Sequence, residues 1–369
     1  MSKILRILLS GGGTGGHIYP AVAIAQEIKK RFPDAEILFI GAIGKMEMEK
    51  VPQAGFPIEG LEIAGFNRSN ILANFKLPFK LFSSINKAKK IIKNFKPDAA
   101  IGTGGYASGP ALFAAAQLGI PTFIQEQNAF PGITNKLLSK KAKAVFTAYP
   151  DLSSFFPNTQ TVFTGNPIRQ SIVTNKISAS EARQKLGLDN KFTILSVGGS
   201  LGSRTLNNAW LEHAQTLLNK DLQIIWQTGK LEFKKIMDET EAYASRNLRI
   251  VEFINNMDMA YSAADMIVSR AGAIAISELA VVQKPILLVP FPFAAEDHQT
   301  KNALNLVEKG AAKMVKDCEI QDQFLPTLLE ICENEQLRQN MSQQLGLFAK
   351  PNATETIVDH IINHLGIKA

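Results

Sequence analysis

Short apolar runs that read as buried strands recur along this chain with helical patterns between them, and the series runs twice. In the first half the runs are residues 4–9, 37–40, 99–102, 122–125 and 144–147, with helical patterns at 21–31 and 111–118. Around Gly165-Asn166-Pro167 the series restarts, with runs at 192–197, 222–227, 248–253, 266–269 and 286–289 and a helical pattern at 206–218. Strands alternating with helices predict a parallel sheet covered on both faces. A chain of 369 residues exceeds one ordinary core, so the repetition predicts two consecutive doubly wound units. Asn166-Pro167 is the expected hinge, because a residue before proline avoids the helical region. After Lys350-Pro351, Asn352 with Glu355 three residues on predicts a capped final helix presenting Ile357, Ile361 and Leu365 on one face.

Composition narrows the classes. Hydrophobic residues at 46% and charged residues at 20% fit a soluble globular protein. Cys318 and Cys332 lack metal-ligand spacing and form no disulfide framework, which points to a reducing compartment. The first ten residues read as a strand without a signal-peptide cleavage site. Residues 99–125 carry no charge, but their glycines and Pro110 divide them into strand, turn, buried helix and strand, not a membrane span.

In open parallel sheets ligands sit beyond the carboxyl ends of the strands, so the loops there are the places to search. The first is Gly11-Gly12-Gly13-Thr14-Gly15-Gly16-His17. It contains the dinucleotide glycine spacing, but the second strand ends Phe39-Ile40-Gly41-Ala42 with no acid for a ribose, which weakens an NAD dehydrogenase. His17 stands where a Walker loop needs Lys-Ser/Thr. What remains is a turn expected to offer bare backbone N–H groups at a helix start, suited to an anion or a sugar phosphate. His17 is either a helix-start residue bonded to backbone or a general base.

Two more loops follow on the same edge: 104–110, containing Gly104, Gly105, Tyr106 and Ser108, and Gln125-Glu126-Gln127-Asn128. Their polar groups serve either as loop caps or as a site. The second half repeats the device at 198–204, with Ser200, and at 269–278, where Ala273, Ile274, Ala275, Ile276, Ser277 and Glu278 open a helix. Two helix N-termini together suit a diphosphate. Glu278 is either a ribose ligand or a surface acid. Residues 291–299 add polar groups, among them Gln299. No Asp-x-Asp and no metal-spaced cluster occurs, so no metal or other cofactor is expected. The absence of Gly-x-Ser-x-Gly argues against an ordinary serine hydrolase.

Charge is uneven. Residues 1–166 hold 19 Lys and Arg against 10 Asp and Glu, and the remainder holds 21 against 23. Residues 63–97 contain eight Lys and Arg and no acid, interleaved with Phe75, Phe79 and Phe82 beside Lys76 and Lys80. The composition suits an anionic membrane surface, a core helix with a solvated basic face, or single-stranded nucleic acid.

The ordered set Gly-Gly-Thr-Gly-Gly-His at 12–17, Gly-Gly-Tyr-Ala-Ser-Gly-Pro at 104–110, Glu-Gln-Asn at 126–128, Gly-Asn-Pro-Ile-Arg at 165–169, Gly-Gly-Ser at 198–200 and Ala-Gly-Ala-Ile-Ala-Ile-Ser-Glu at 271–278 resembles the bacterial MurG family. The resemblance implies a GT-B fold, two Rossmann-like domains facing a cleft, divided as 1–165 with 346–369 and 166–345. It implies inverting, metal-independent transfer of N-acetylglucosamine from UDP-N-acetylglucosamine to the 4-hydroxyl of undecaprenyl-linked muramoyl pentapeptide, at the cytoplasmic face of the plasma membrane. Donor contacts fall to Thr14, Gly15, Gly16, Asn128, Arg169, Ser200, Ile254, the 273–278 segment, Glu278 and Gln299. Acceptor contacts fall to Gly104, Gly105, Tyr106 and Ser108, and His17 or Glu126 is the base. Membrane contact falls to Phe75, Lys76, Phe79, Lys80 and Phe82. Other cell-wall synthesis proteins are further partners; nucleic acid is not. His298 departs from the glutamine that many relatives carry there. The rival readings are another GT-B enzyme, such as a UDP-sugar epimerase or glycolipid synthase, and a non-catalytic membrane-docked protein.

Overall fold

The computed structural model describes residues 4–63, 77–199, 201–294 and 297–367. The chain divides into two compact units, Met1–Arg169 with Lys350–Ala369, and Gln170–Ala349. The first crossover falls after Arg169 and the second before Lys350.

Unit 1 runs β1 (Arg6–Gly11), α1 (Gly15–Arg31), β2 (Glu36–Ala42), α2 (Glu47–Gln53), β3 (Ile58–Leu61), α3 (Leu77–Phe95), β4 (Ala99–Gly104), α4 (Ser108–Gln117), β5 (Thr122–Glu126), α5 (Ile133–Ser139), β6 (Ala144–Thr147) and β7 (Gln160–Phe163). Its seven strands are ordered β3-β2-β1-β4-β5-β6-β7 and every pairing is parallel. The order reverses between β1 and β4, which makes their carboxyl ends the switch point where ligands of such sheets bind. Alternation along β1 feeds both faces: Ile7 and Leu9 pack with α1, while Leu8 packs with Ala88 and Ile92 of α3 and Ala111, Ala114 and Ala115 of α4. Residues 99–125 form β4, a turn, α4 and β5, as their glycines predict.

Unit 2 runs α6 (Gln170–Thr174), α7 (Ala179–Lys185), β8 (Thr193–Val197), α8 (Arg204–Leu218), β9 (Gln223–Gln227), α9 (Phe233–Thr240), β10 (Leu248–Val251), α10 (Met257–Ala263), β11 (Met266–Ser269), α11 (Ala273–Val282), β12 (Ile286–Leu288), α12 (His298–Val307), β13 (Lys313–Met314), α13 (Ile320–Glu333) and α14 (Glu335–Gly346). Its six parallel strands are ordered β10-β9-β8-β11-β12-β13, with the same reversal between β8 and β11. Trp210 and Trp226 are fully buried on one face with Phe324, and Leu195, Ile267 and Leu288 fill the other.

Three short strands escaped the apolar-run criterion. β3 and β7 are sheet edges with half-exposed patterns, and β13 has two residues.

The chain returns to unit 1 through α15 (Ala353–His364), whose Ile357, Val358, Ile361 and Ile362 join the α1 side of the core. Arg31 of α1 bonds Glu27, Asp359 and the Glu355 carbonyl, tying the two helices together. The expected capping box is absent: Asn352 sits at the N-cap with no side-chain cap bond. Among the described residues no helix is long and apolar enough to cross a membrane.

Candidate active site

The carboxyl edge of the unit 1 sheet carries the turns after β1, β4 and β5. The first two interlock. Gly12 N–H donates to the Gly104 carbonyl at 3.2 Å, and Thr103 Oγ1 donates to the His17 carbonyl at 2.7 Å. Gly105, at φ +87°, backs so closely on Gly12 that a Cβ there would fall 2.2 Å from the Gly12 carbonyl oxygen. Several glycines of these turns therefore serve packing of turn on turn, which requires backbones without Cβ atoms.

The turn is not the bare anion cradle expected from its composition. Glu47, the first residue of α2, is 1% exposed and reaches across to it. Its Oε2 accepts the Gly13 N–H at 2.8 Å and its Oε1 accepts the Ala42 N–H at 3.0 Å. A carboxylate thus stands beside the start of α1, where the helix dipole favours negative charge. Sequence reading missed Glu47 because it follows β2 by five residues instead of ending it. The signal was an acid just past the second strand, facing two glycines.

His17 lies in the first turn of α1. Its Nδ1 is 3.0 Å from the Gly12 carbonyl and 3.4 Å from Thr14 Oγ1. A carbonyl only accepts, so Nδ1 carries the proton, and in the neutral ring Nε2 carries the lone pair. The reading of His17 as a helix-start residue bonded to backbone is met through Nδ1. Thr14 is the N-cap of α1 without a side-chain cap bond, and Gly15 and Gly16 begin the helix.

Tyr106 is half exposed in the turn after β4, whereas Ser108 is fully buried with its Oγ close to Gly102. The Ser108 side chain faces β4. Glu126 is buried too. Its Oε1 accepts from Asn128 N–H at 3.0 Å and Asn128 Nδ2 at 3.3 Å; its Oε2 accepts from Gly132 N–H at 3.2 Å and Asn135 Nδ2 at 2.8 Å. Burial pushes this carboxyl above the ordinary carboxylate range, opposed by those donors. Four donors around a buried carboxylate make it the keystone of the 126–135 turn and leave it poorly placed to take a proton from a substrate. Gln125 and Gln127 are buried as well, bonded to Asn166 and to the Thr103 carbonyl. Of this cluster Asn128 alone is half-buried.

Unit 2 repeats the interlock. Gly202, at φ +79°, packs on the Thr228 carbonyl, and Gly229 packs on Leu201. Gln227 fastens the turn after β8 by accepting Gly198 N–H and donating to the Gly199 carbonyl. Ser203 caps α8. Arg270, whose role sequence reading did not assign, donates to Ser203 Oγ at 2.6 Å, to the Val289 and Pro290 carbonyls at 3.1 and 3.0 Å, and to Asp317. It gathers the turns after β8, β11 and β12. The α11 helix opens at Gly272 with no side-chain cap and no acid in its first turn, which suits an anion there. Along α11 Ile276 turns into the core, while Ile274, Ala275 and Ser277 are half-buried. Glu278 is 4% exposed and accepts from Tyr261 Oη at 3.2 Å, so it is not a surface acid. Gln299 Oε1 accepts the Phe291 N–H at 3.0 Å, fastening the turn after β12. Ile254 packs its side chain against the core. Arg169 is half-buried at the end of the first segment of unit 1. Ser200, Phe75 and Lys76 lie outside the described residues. Among the described residues no cluster of His, Cys, Asp or Glu fit to hold a metal ion occurs.

On α3, Phe79 is 77% and Phe82 69% exposed, and Leu81 is exposed beside them with Lys80. Ser84, Ala88 and Ile92 turn the opposite face inward.

Two parallel-sheet Rossmann-like units, each with glycine-rich turns at its switch point, make up the GT-B fold. Residues 7–147 match the glycosyltransferase family 28 N-terminal domain, and residues 193–357 match its C-terminal domain. The chain is 49% identical to the UDP-N-acetylglucosamine–N-acetylmuramyl-(pentapeptide) pyrophosphoryl-undecaprenol N-acetylglucosamine transferase of Christiangramia forsetii, covering 98% of each chain. It is 50% identical to the protein of the same name from Cytophaga hutchinsonii, over 97% of this chain and 96% of that one. The crystal structure of MurG from Acinetobacter baumannii superposes with a TM-score of 0.77 at 32% identity, covering 98% of this chain and 100% of the other. The UDP-bound MnaA structure from S. aureus, at 15% identity and a TM-score of 0.69, shares the fold. The chain belongs to the MurG family within glycosyltransferase family 28.

Proposed function

We infer that this enzyme transfers N-acetylglucosamine from UDP-N-acetylglucosamine to the 4-hydroxyl of undecaprenyl-diphospho-muramoyl pentapeptide, making the lipid-linked disaccharide of peptidoglycan synthesis. The observation that carries the reading is near full-length similarity to transferases of that name, in a chain whose unit 1 switch point holds an oriented imidazole. The reaction is a single displacement. The acceptor hydroxyl oxygen attacks the anomeric carbon and its proton passes to His17 Nε2. The bond from that carbon to the phosphate oxygen breaks, its electron pair leaves with UDP, and the configuration inverts. Proton transfer of this kind contributes roughly 10²–10⁴-fold.

Donor contacts are assigned to unit 2. The start of α11 at Ala273, Ile274 and Ala275, together with Ser200, takes the diphosphate. Glu278 takes the ribose, the Ile254 backbone the uracil and Gln299 the sugar hydroxyls; Arg169 lies beside the nucleotide. Thr14, Gly15, Gly16 and Asn128 approach the sugar, and Gly104, Gly105 and Tyr106 approach the lipid diphosphate. The exposed Phe79, Lys80 and Phe82 support peripheral contact with an anionic membrane. The deciding experiment is transfer of labelled sugar from UDP-N-acetylglucosamine to a short-chain lipid-linked muramoyl peptide. Consumption of the donor without acceptor, yielding an epimeric UDP-sugar, overturns the reading in favour of an epimerase.

A further inference from the structure

The peptide unit between Gly12 and Gly13 is bonded at both ends. Its carbonyl oxygen accepts His17 Nδ1–H at 3.0 Å, and its N–H donates to Glu47 Oε2 at 2.8 Å. We propose that Glu47 is a positioning residue for the transfer reaction, acting on His17 through this single peptide unit. The inference rests on the reading of His17 as the base.

The physical basis is conjugation. A peptide is a planar, delocalised group, so negative charge at its N–H end shifts electron density toward its carbonyl oxygen. Hydrogen bonds in series polarise one another, more strongly where water is excluded. The stronger carbonyl acceptor holds Nδ1–H in place and stabilises the imidazolium formed when Nε2 takes the acceptor proton. Glu47 itself gains and loses no proton. A Ser-His-Asp triad obtains the same service from direct carboxylate contact; here the backbone carries it.

The surroundings are built for this contact. Oε1 is fixed by Ala42 N–H at 3.0 Å, and a Cβ on Gly12 would fall 2.2 Å from that oxygen. A Cβ on Gly41 would fall 2.7 Å from Glu47 Cγ. The absent side chains at 12 and 41 are what let a buried carboxylate reach the turn. Among titratable groups on the elements around α1, Glu47 belongs to α2 and Tyr106 to the turn after β4. On α15, Asp359 bonds Arg31 at the far end of α1, about 20 Å along the helix.

The test compares kcat and KM for UDP-N-acetylglucosamine in wild type, E47Q, H17A and the double variant, with ¹⁵N NMR of the His17 imidazole in wild type and E47Q. E47Q is expected to lower kcat roughly 10–100-fold, the scale on which outer partners of a working histidine act. Donor KM stays within about twofold, since no ground-state contact is removed. In the H17A background E47Q has no further effect on kcat, and the His17 resonances of E47Q shift toward a smaller Nδ1–H population and lower basicity. An equal kcat loss with and without His17, or unchanged His17 resonances, overturns the proposal. E47D, which keeps the charge on a shorter arm, goes through the same cycle in case E47Q fails to fold. Full kcat in H17A sinks the base assignment, while the ¹⁵N comparison still decides whether Glu47 reaches the ring.

Discussion

Gly104 lies against the imidazole of His17: a Cβ at position 104 would stand 2.7 Å from Cδ2 and 3.0 Å from Nε2. The residue also sits at φ +104°, where side chains are strained. G104A is expected to push the ring off the Gly12 carbonyl and lower kcat by at least about tenfold, with donor affinity little changed. Steady-state kinetics with UDP binding by calorimetry checks this; equal losses in both would place the damage elsewhere.

Glu126 accepts four hydrogen bonds within the 126–135 turn. In E126Q an NH₂ group must face two of the four donors, at about 1–3 kcal/mol for each buried group left unmatched. The expected result is a lowered Tm accompanying any loss of activity; a large kcat loss at unchanged Tm would restore Glu126 as the base. The pH dependence has a definite sign. Burial holds the folded-state carboxyl above its unfolded value. The stability this proton linkage supplies is present below the unfolded value and is lost as pH rises through the folded one. Tm measured from about pH 4 upward shows that loss in wild type and not in E126Q.

Glu278 carries a test of the donor assignment. E278A removes the residue proposed to hold the ribose and leaves Tyr261 Oη without the carboxylate it bonds at 3.2 Å. UDP affinity is expected to fall roughly 10–100-fold, the consequence of losing about 1.5–3 kcal/mol of charged hydrogen bonding. Y261F, which keeps the carboxylate, is expected to weaken UDP by much less. Comparable losses in the two would make the pair a packing unit.

Membrane contact is tested on α3, where exposed Phe79 and Phe82 flank Lys80. Replacing both phenylalanines with serine is expected to reduce co-sedimentation with anionic vesicles, and replacing Lys80 with glutamate to weaken it and make what remains less sensitive to added salt. Transfer to a water-soluble acceptor analogue should continue in each. Unaltered vesicle binding would remove this patch from the interface.

The fold was legible because parallel strands buried on both faces must be continuous apolar runs. Met266–Ser269 and Ala144–Thr147 fall where those runs lie. Edge strands such as Gln160–Phe163 carry no such signature, since one side of the pairing is missing. Site reading found the glycines where turn packs on turn, because positions 12, 104 and 105 admit no side chain. It failed where a polar residue's partner is distant in sequence. Gln125 and Gln127 looked like groups facing a ligand, but Asn166, some forty positions on, buries them. Glu47 is the converse: an ordinary acid on a short helix, given meaning by Gly13, 34 residues away.

The closing helix has a bearing on how the protein is made. Ile357, Val358, Ile361 and Ile362 complete a core whose other walls come from residues 5–28 and the β-sheet. During synthesis that core stays open while the whole of Gln170–Ala349 emerges and can close upon itself. The later-born unit is thus able to mature first, and the earlier-born one, with its imidazole and its interlocked turns, waits on the ribosome for its last wall.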